Sequence, residues 1–85
     1  MTTICGTVVS TYYSRNAKGS PTYLNFERKY PNQIFVGVIW GNSRSNFDNA
    51  PERIFKNKKI CVKGTIRTFK GIPQIYLRNN SQIKF

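Results

Sequence analysis

The chain has 85 residues and carries 14 Lys and Arg against three acids, with no histidine, for a formal charge of +11. A chain of this length forms one domain, residues 1–85, whose single core buries roughly 60–65% of the unfolded surface. Without histidine it lacks the usual general base and the commonest metal ligand, and its acids Glu27, Asp48 and Glu52 are too scattered to hold a catalytic ion, so the expectation is no enzyme, no metal site and no cofactor.

Strand signals dominate. Residues 4–13 (ICGTVVSTYY) are β-branched and aromatic and predict a first strand, with Gly6 as the place where it bulges or bends. Residues 14–20 (SRNAKGS) are a polar loop that turns at Gly19. Residues 21–27 (PTYLNFE) alternate, sending Leu24 and Phe26 to one face and Tyr23 and Asn25 to the other. Tyr30-Pro31-Asn32 predicts a turn. Residues 33–40 (QIFVGVIW) then form a third strand, with Phe35, Gly37 and Ile39 inward and Ile34, Val36, Val38 and Trp40 outward.

Helical character is confined to residues 44–57, where Asp48 or Asn49 can cap a short helix with Pro51 in its first turn. Residues 58–70 form a fourth strand. Ile60, Val62, Gly64 and Ile66 share its inner face, and Lys63, Thr65 and Arg67 its outer one. Gly71-Ile72-Pro73 turns the chain into a fifth strand over residues 74–78, and the tail is polar except for Ile83 and Phe85. The expected core is Ile4, Val8, Leu24, Phe26, Phe35, Ile39, Ile60, Val62, Ile66, Ile75 and Leu77.

No stretch approaches the roughly 20 apolar residues of a membrane-spanning helix. The first residues lack the charged and apolar regions of a signal peptide. A cytoplasmic location is therefore expected, with Cys5 and Cys61 as reduced thiols, although neighbouring strands would allow a disulfide. Glu27, beside Arg28 and Lys29, moderates local charge, while Asp48 and Glu52 oppose the helix dipole favourably.

The order β-β-β-α-β-β in so short a chain fits an all-β, five-stranded Greek-key barrel, the OB-fold, with one short helix between strands three and four. Gly6-Thr7-Val8 and Gly64-Thr65-Ile66 echo one another, as glycines in two sharply curved strands would. With these residues in view, the chain resembles a bacterial OB-fold nucleic-acid-binding domain of the anticodon-binding or single-stranded-DNA-binding type. The motifs that carry the resemblance are Cys5-Gly6-Thr7-Val8-Val9, Thr22-Tyr23-Leu24-Asn25-Phe26, Val38-Ile39-Trp40-Gly41, and Lys63-Gly64-Thr65-Ile66 followed by Gly71-Ile72-Pro73-Gln74-Ile75. The resemblance implies a ligand across strands two and three, flanked by the loops joining strands one–two and four–five. It does not imply an enzyme.

Charge and rings point to the same partner. An excess of cations holds polyanions close, and each neutralised phosphate releases counterions. One Trp, five Tyr and six Phe accompany that charge. Tyr23 and Trp40 are expected as exposed stacking rings on adjoining strands, with Asn25 beside them. Arg15 and Lys18 lie in the first loop, just after Tyr12 and Tyr13 at the end of the first strand; Arg67, Phe69, Lys70, Tyr76 and Arg78 surround the hairpin of strands four and five. Lys56, Lys58 and Lys59 fall at the opposite, helix-bearing end and serve solvation. The expected function is binding of single-stranded nucleic acid, DNA ahead of RNA, with little sequence preference. The alternative is an interaction module that uses an exposed strip of Ile34, Val36, Val38 and Trp40 to form a homodimer or to dock on a larger nucleic-acid-processing protein, such as a nuclease assembly.

Overall fold

The computed structural model describes residues 1–28 and 32–85. Its strands in chain order are β1 (Thr2–Tyr13), β2 (Thr22–Phe26), β3 (Phe35–Ile39), β4 (Lys59–Gly64), β5 (Ile66–Phe69), β6 (Ile72–Tyr76) and β7 (Ile83–Lys84). One short helix, α1 (Pro51–Ile54), lies between β3 and β4, after a 3-10 turn at Gly41–Asn46. The expected turn at Tyr30-Pro31 lies outside the described residues.

The length of β1 organises the sheet. Thr2 to Thr7 pair antiparallel with β4, and Val8 to Tyr13 pair antiparallel with β2. The change of partner coincides with a β-bulge between Val8 and Ser10, which increases the local twist of the strand. Gly6, the expected bulge site, instead sits in regular register with Ile60. It is glycine for another reason: a Cβ there would meet the Glu27 carboxylate at 2.5 Å. That carboxylate accepts the Thr7 N–H at 2.9 Å, and the Thr7 carbonyl accepts the Glu27 N–H at 2.9 Å. Glu27 thus satisfies backbone at the partner change, a structural duty beyond moderating the charge of Arg28.

From β2 the sheet continues antiparallel to β3, then parallel from β3 to β6, then antiparallel to β5. On the other side β4 takes β7 as its outer neighbour. The order is β5-β6-β3-β2-β1-β4-β7. Since β4 and β5 are separated by Thr65 alone, one run of chain serves both sides of the sheet, which curls into a barrel-like shape. There are therefore seven strands among the described residues rather than five. The expected fourth strand breaks in two where it leaves β1 and joins β6, and the tail contributes β7. Gly64 marks that break: a Cβ there would meet Ile75 Cγ2 at 2.6 Å, so only glycine lets β4 cross so near β6. Gln82 closes the seam. Its Nε2 donates to the Lys63 carbonyl at 2.9 Å and to the Tyr76 carbonyl at 3.0 Å.

The last hairpin also differs from expectation. Its turn is Lys70-Gly71, both at positive φ (52° and 81°), between the paired Phe69 and Ile72. Positive φ at both central residues defines a tight type I′ hairpin. Pro73 lies inside β6, opposite Thr68 and one position before the ladder to β3 begins. In a two-residue hairpin that second pair exchanges no hydrogen bonds, so the missing N–H of proline goes unneeded.

One cluster of buried residues fills the interior: Val8, Leu24, Phe26, Phe35, Ile39, Ile60, Val62, Ile75 and Leu77, joined by Phe47, Phe55 and Ile83. Phe26 and Phe35 meet edge to face at 5.2 Å. Ile4 is only partly buried, and Ile66 is 39% exposed because it follows the seam, where β5 has left the core. Ala50, not Asp48 or Asn49, occupies the cap position of α1, with Pro51 first in the helix as expected. Asn49 Oδ1 accepts from the Ala50 N–H instead.

Cys5 and Cys61 stand directly opposite one another in the β1–β4 ladder and form a disulfide. This corrects the expectation of two reduced thiols: the register of antiparallel strands, invisible in sequence spacing, brings them together. No helix among the described residues is long and apolar enough to cross a membrane.

Candidate nucleic-acid interface

Strand registers place two rows of side chains on the outer face of the sheet. One row runs Ser10, Asn25, Val36, Gln74, Arg67, and the next runs Tyr12, Tyr23, Val38, Tyr76. Period-two alternation keeps both rows on the face opposite Leu24 and Ile75. The outward placement of Tyr23 and Asn25 on β2 thus agrees with the sequence reading, as does that of Val36 and Val38 on β3.

Exposure on that face does not follow. Val36 and Val38 are 5% and 1% exposed, and Val38 lies in register between Tyr23 and Tyr76. The expected apolar strip is therefore covered, apart from Ile34 at 55% and a half-buried Trp40. Asn25 is also buried, and its Nδ2 donates to Ser10 Oγ at 3.1 Å.

A groove of about 740 Å³ opens over the first row. Tyr23, Asn25, Val36 and Gln74 form its floor. Tyr12 stands on the β1 side, and Phe69, Lys70 and Ile72 of the hairpin stand on the other. Tyr12 and Phe69 are 62% and 61% exposed, so two open rings face one lined channel. Lys70 Nζ lies 5.4 Å from the Phe69 ring, which puts a cation at the rim. Gln33 also lines the groove, and its buried Oε1 has no hydrogen-bond partner among the described residues. Gln33, Gln74 and Ser10 were not singled out from the sequence; alternation could have found Gln74, which is the outward residue two before Tyr76.

Arg67, Tyr76 and Arg78 belong to a second recess, of about 370 Å³, beside the seam. The Arg67 guanidinium sits 4.6 Å from the Tyr76 ring centroid. Trp40 meets the same ring edge-on at 5.5 Å and packs over Gly19 of the first loop, so it does not share the groove with Tyr23. The expected Tyr23–Trp40 platform is corrected accordingly: Trp40 follows the end of β3 and turns toward β6 and the loop. Gly41 N–H donates to the Gly19 carbonyl at 2.8 Å, fixing the loop beside the indole.

Tyr13 is engaged elsewhere. The Arg44 guanidinium lies 3.6 Å from its ring centroid, and Arg15 lies at 5.6 Å. Arg44 also donates to Thr22 Oγ1 at 2.5 Å and to Glu52 at 2.8 Å, tying the 3-10 turn to β2 and α1. Glu52 therefore does more than oppose a helix dipole. Lys18 is exposed in the first loop and lines neither cavity. Lys56, Lys58 and Lys59 are exposed around the end of α1 and the start of β4.

Burial acts to raise the Glu52 pKa, but the hydrogen bond and charge of Arg44 outweigh it and hold the carboxyl below its ordinary value of 4.5. A depressed carboxylate stabilises the fold above its unfolded pKa and loses that contribution as pH falls through the folded value. Chemical denaturation between pH 6 and about pH 3 is expected to show a steeper acid loss of stability for the unaltered chain than for Glu52→Gln. Equal slopes would mean that the pair adds nothing on acidification.

Among the described residues, no three His, Cys, Asp or Glu gather to hold a metal ion. Comparison with family models, with curated proteins and with solved structures found no match to this chain.

Proposed function

We propose that the chain is an OB-type barrel, in which β4 and β5 count as one bent strand and β7 is an addition, and that it binds single-stranded nucleic acid without catalysis. DNA is taken ahead of RNA, and little sequence preference is expected. The observation that carries this reading is the groove itself: open rings at Tyr12 and Phe69, a half-buried Tyr23 between them and Lys70 at the rim. Base–aromatic stacking tolerates any sequence because every base has a π-face, and cations along the groove hold the phosphates. The Gln33 Oε1, unpartnered among the described residues, adds an acceptor that a base N–H can satisfy. The fold reading draws support from the shared long β1, the parallel β3–β6 pair and a helix between β3 and β4. Burial of Val36 and Val38 removes most of the third-strand strip on which the docking-module reading rested.

Titration of a fluorescent oligonucleotide at several salt concentrations tests the proposal. Single strands should bind more tightly than duplex of equal length, at micromolar or better affinity in low salt. Contact with about four or five phosphates gives a log–log salt slope of roughly −3. Duplex binding as tight as single-strand binding would contradict it, and light scattering alongside would report any dimer.

A further inference from the structure

We infer that the recess beside the β4–β6 seam is a phosphate site that takes the backbone of the bound strand one step beyond the groove. The inference rests on the proposal that the groove holds single-stranded nucleic acid. Lys63, Arg67 and Arg78 all line this recess, and no acid does. The chain's three acids are at positions 27, 48 and 52, and the one ion pair among the described residues is Arg44–Glu52. Three cations thus converge without a counter-charge, an arrangement that repels itself until an anion arrives.

The recess is also pre-shaped. Arg67 is held over the Tyr76 ring, which limits the rotamers it must give up on binding. Gln82 spends its amide on the Lys63 and Tyr76 carbonyls and accepts the Arg78 N–H at 2.7 Å, so the backbone beneath the cations is fixed. Thr65 adds a hydroxyl. Donors and positive charge with no carboxylate select a phosphate oxygen.

Position supplies the link to the groove. Gln74 lines the groove and pairs with Arg67, while Tyr76, two residues on, lines the recess. Two residues of a strand advance about 6.6 Å, comparable to one nucleotide of an extended single strand. A strand whose bases stack between Tyr12 and Phe69 therefore delivers a neighbouring phosphate to Lys63, Arg67 and Arg78.

The test walks a neutral methylphosphonate linkage, one position at a time, along a fluorescent nine-nucleotide single strand. One position should weaken binding on the order of tenfold, and that penalty should vanish in a Lys63→Gln/Arg78→Gln variant. A second arm uses trinucleotides with and without a terminal phosphate. A gain on phosphorylation that the variant abolishes assigns the site to a strand end; no gain assigns it to an internal linkage. A flat methylphosphonate profile, or a penalty that persists in the variant, overturns this inference while leaving the groove reading intact. Failure of any oligonucleotide to bind overturns both. Circular dichroism of the variant checks that its fold is unchanged.

Discussion

Replacing both Cys5 and Cys61 with serine will lower the stability of the oxidised protein by about 2–4 kcal/mol in urea unfolding. The bridge joins residues 56 apart in sequence, and closing a loop of that size restricts the unfolded chain by about 4 kcal/mol in the chain-entropy account. A small domain holds only about 5–15 kcal/mol in total, so the loss is a large share. It should fall on the half of β1 that pairs with β4, where residues 2–7 depend on this ladder and, of residues 2–5, only the partly buried Ile4 packs against the core. Their amides should exchange sooner than those of residues 10–13 in the same strand. Unchanged unfolding midpoints for the oxidised chain and the double serine variant would show that the bridge does not form.

The second large effect concerns the rings of the groove. Tyr12→Ala and Phe69→Ala are each expected to weaken single-strand binding by about 1–3 kcal/mol, because each ring offers a stacking face to one base. The salt slope should hardly change, since stacking releases no counterions. Both side chains are more than half exposed and contribute little to the core, so the variants should unfold at nearly the same denaturant concentration as the parent. Trp40→Ala should behave differently. The indole packs against Tyr76 and over Gly19, so its removal disturbs the first loop and the recess rather than deleting a stacked base. If Trp40→Ala weakened binding strongly while Tyr12→Ala and Phe69→Ala did nothing, the groove would be misplaced.

Period-two alternation made the interior legible. Leu24 with Phe26, Phe35 with Ile39, and Ile60 with Val62 face inward as their spacing requires, because one side of each strand meets the core. Residues 58–70 read as one strand since both halves are β-prone; the break at Thr65 reflects a change of partner, which is a tertiary event. The disulfide was hidden for the same reason, because pairing of β1 with β4 sets the register that aligns Cys5 and Cys61. For the outer face, alternation gave direction but not burial. Val36 and Val38 point outward and are still covered, while Tyr12 and Phe69 remain open. Arg44 carried no pattern at all: its hold on Tyr13, Thr22 and Glu52 depends on how a 3-10 turn lands on β2 and α1. Of the expected site, Tyr12, Tyr23, Asn25, Phe69 and Lys70 gather at the groove, whereas Arg67, Tyr76 and Arg78 gather at the recess.

The location of the binding face is the central claim, and one paired comparison tests it most directly. Arg67→Ala/Lys70→Ala and Lys56→Ala/Lys59→Ala remove the same charge, the first pair from the lining of the recess and groove and the second from the end of α1 and the start of β4, which line neither. In a single-strand titration across salt concentrations, the first pair should weaken binding and make the slope shallower by under one unit per residue, following the coefficient of about 0.7 per phosphate. The second pair should leave both affinity and slope nearly unchanged, beyond the small general loss from lower net charge. A larger effect from Lys56 and Lys59 than from Arg67 and Lys70 would contradict the account and move the interface to the helix-bearing end.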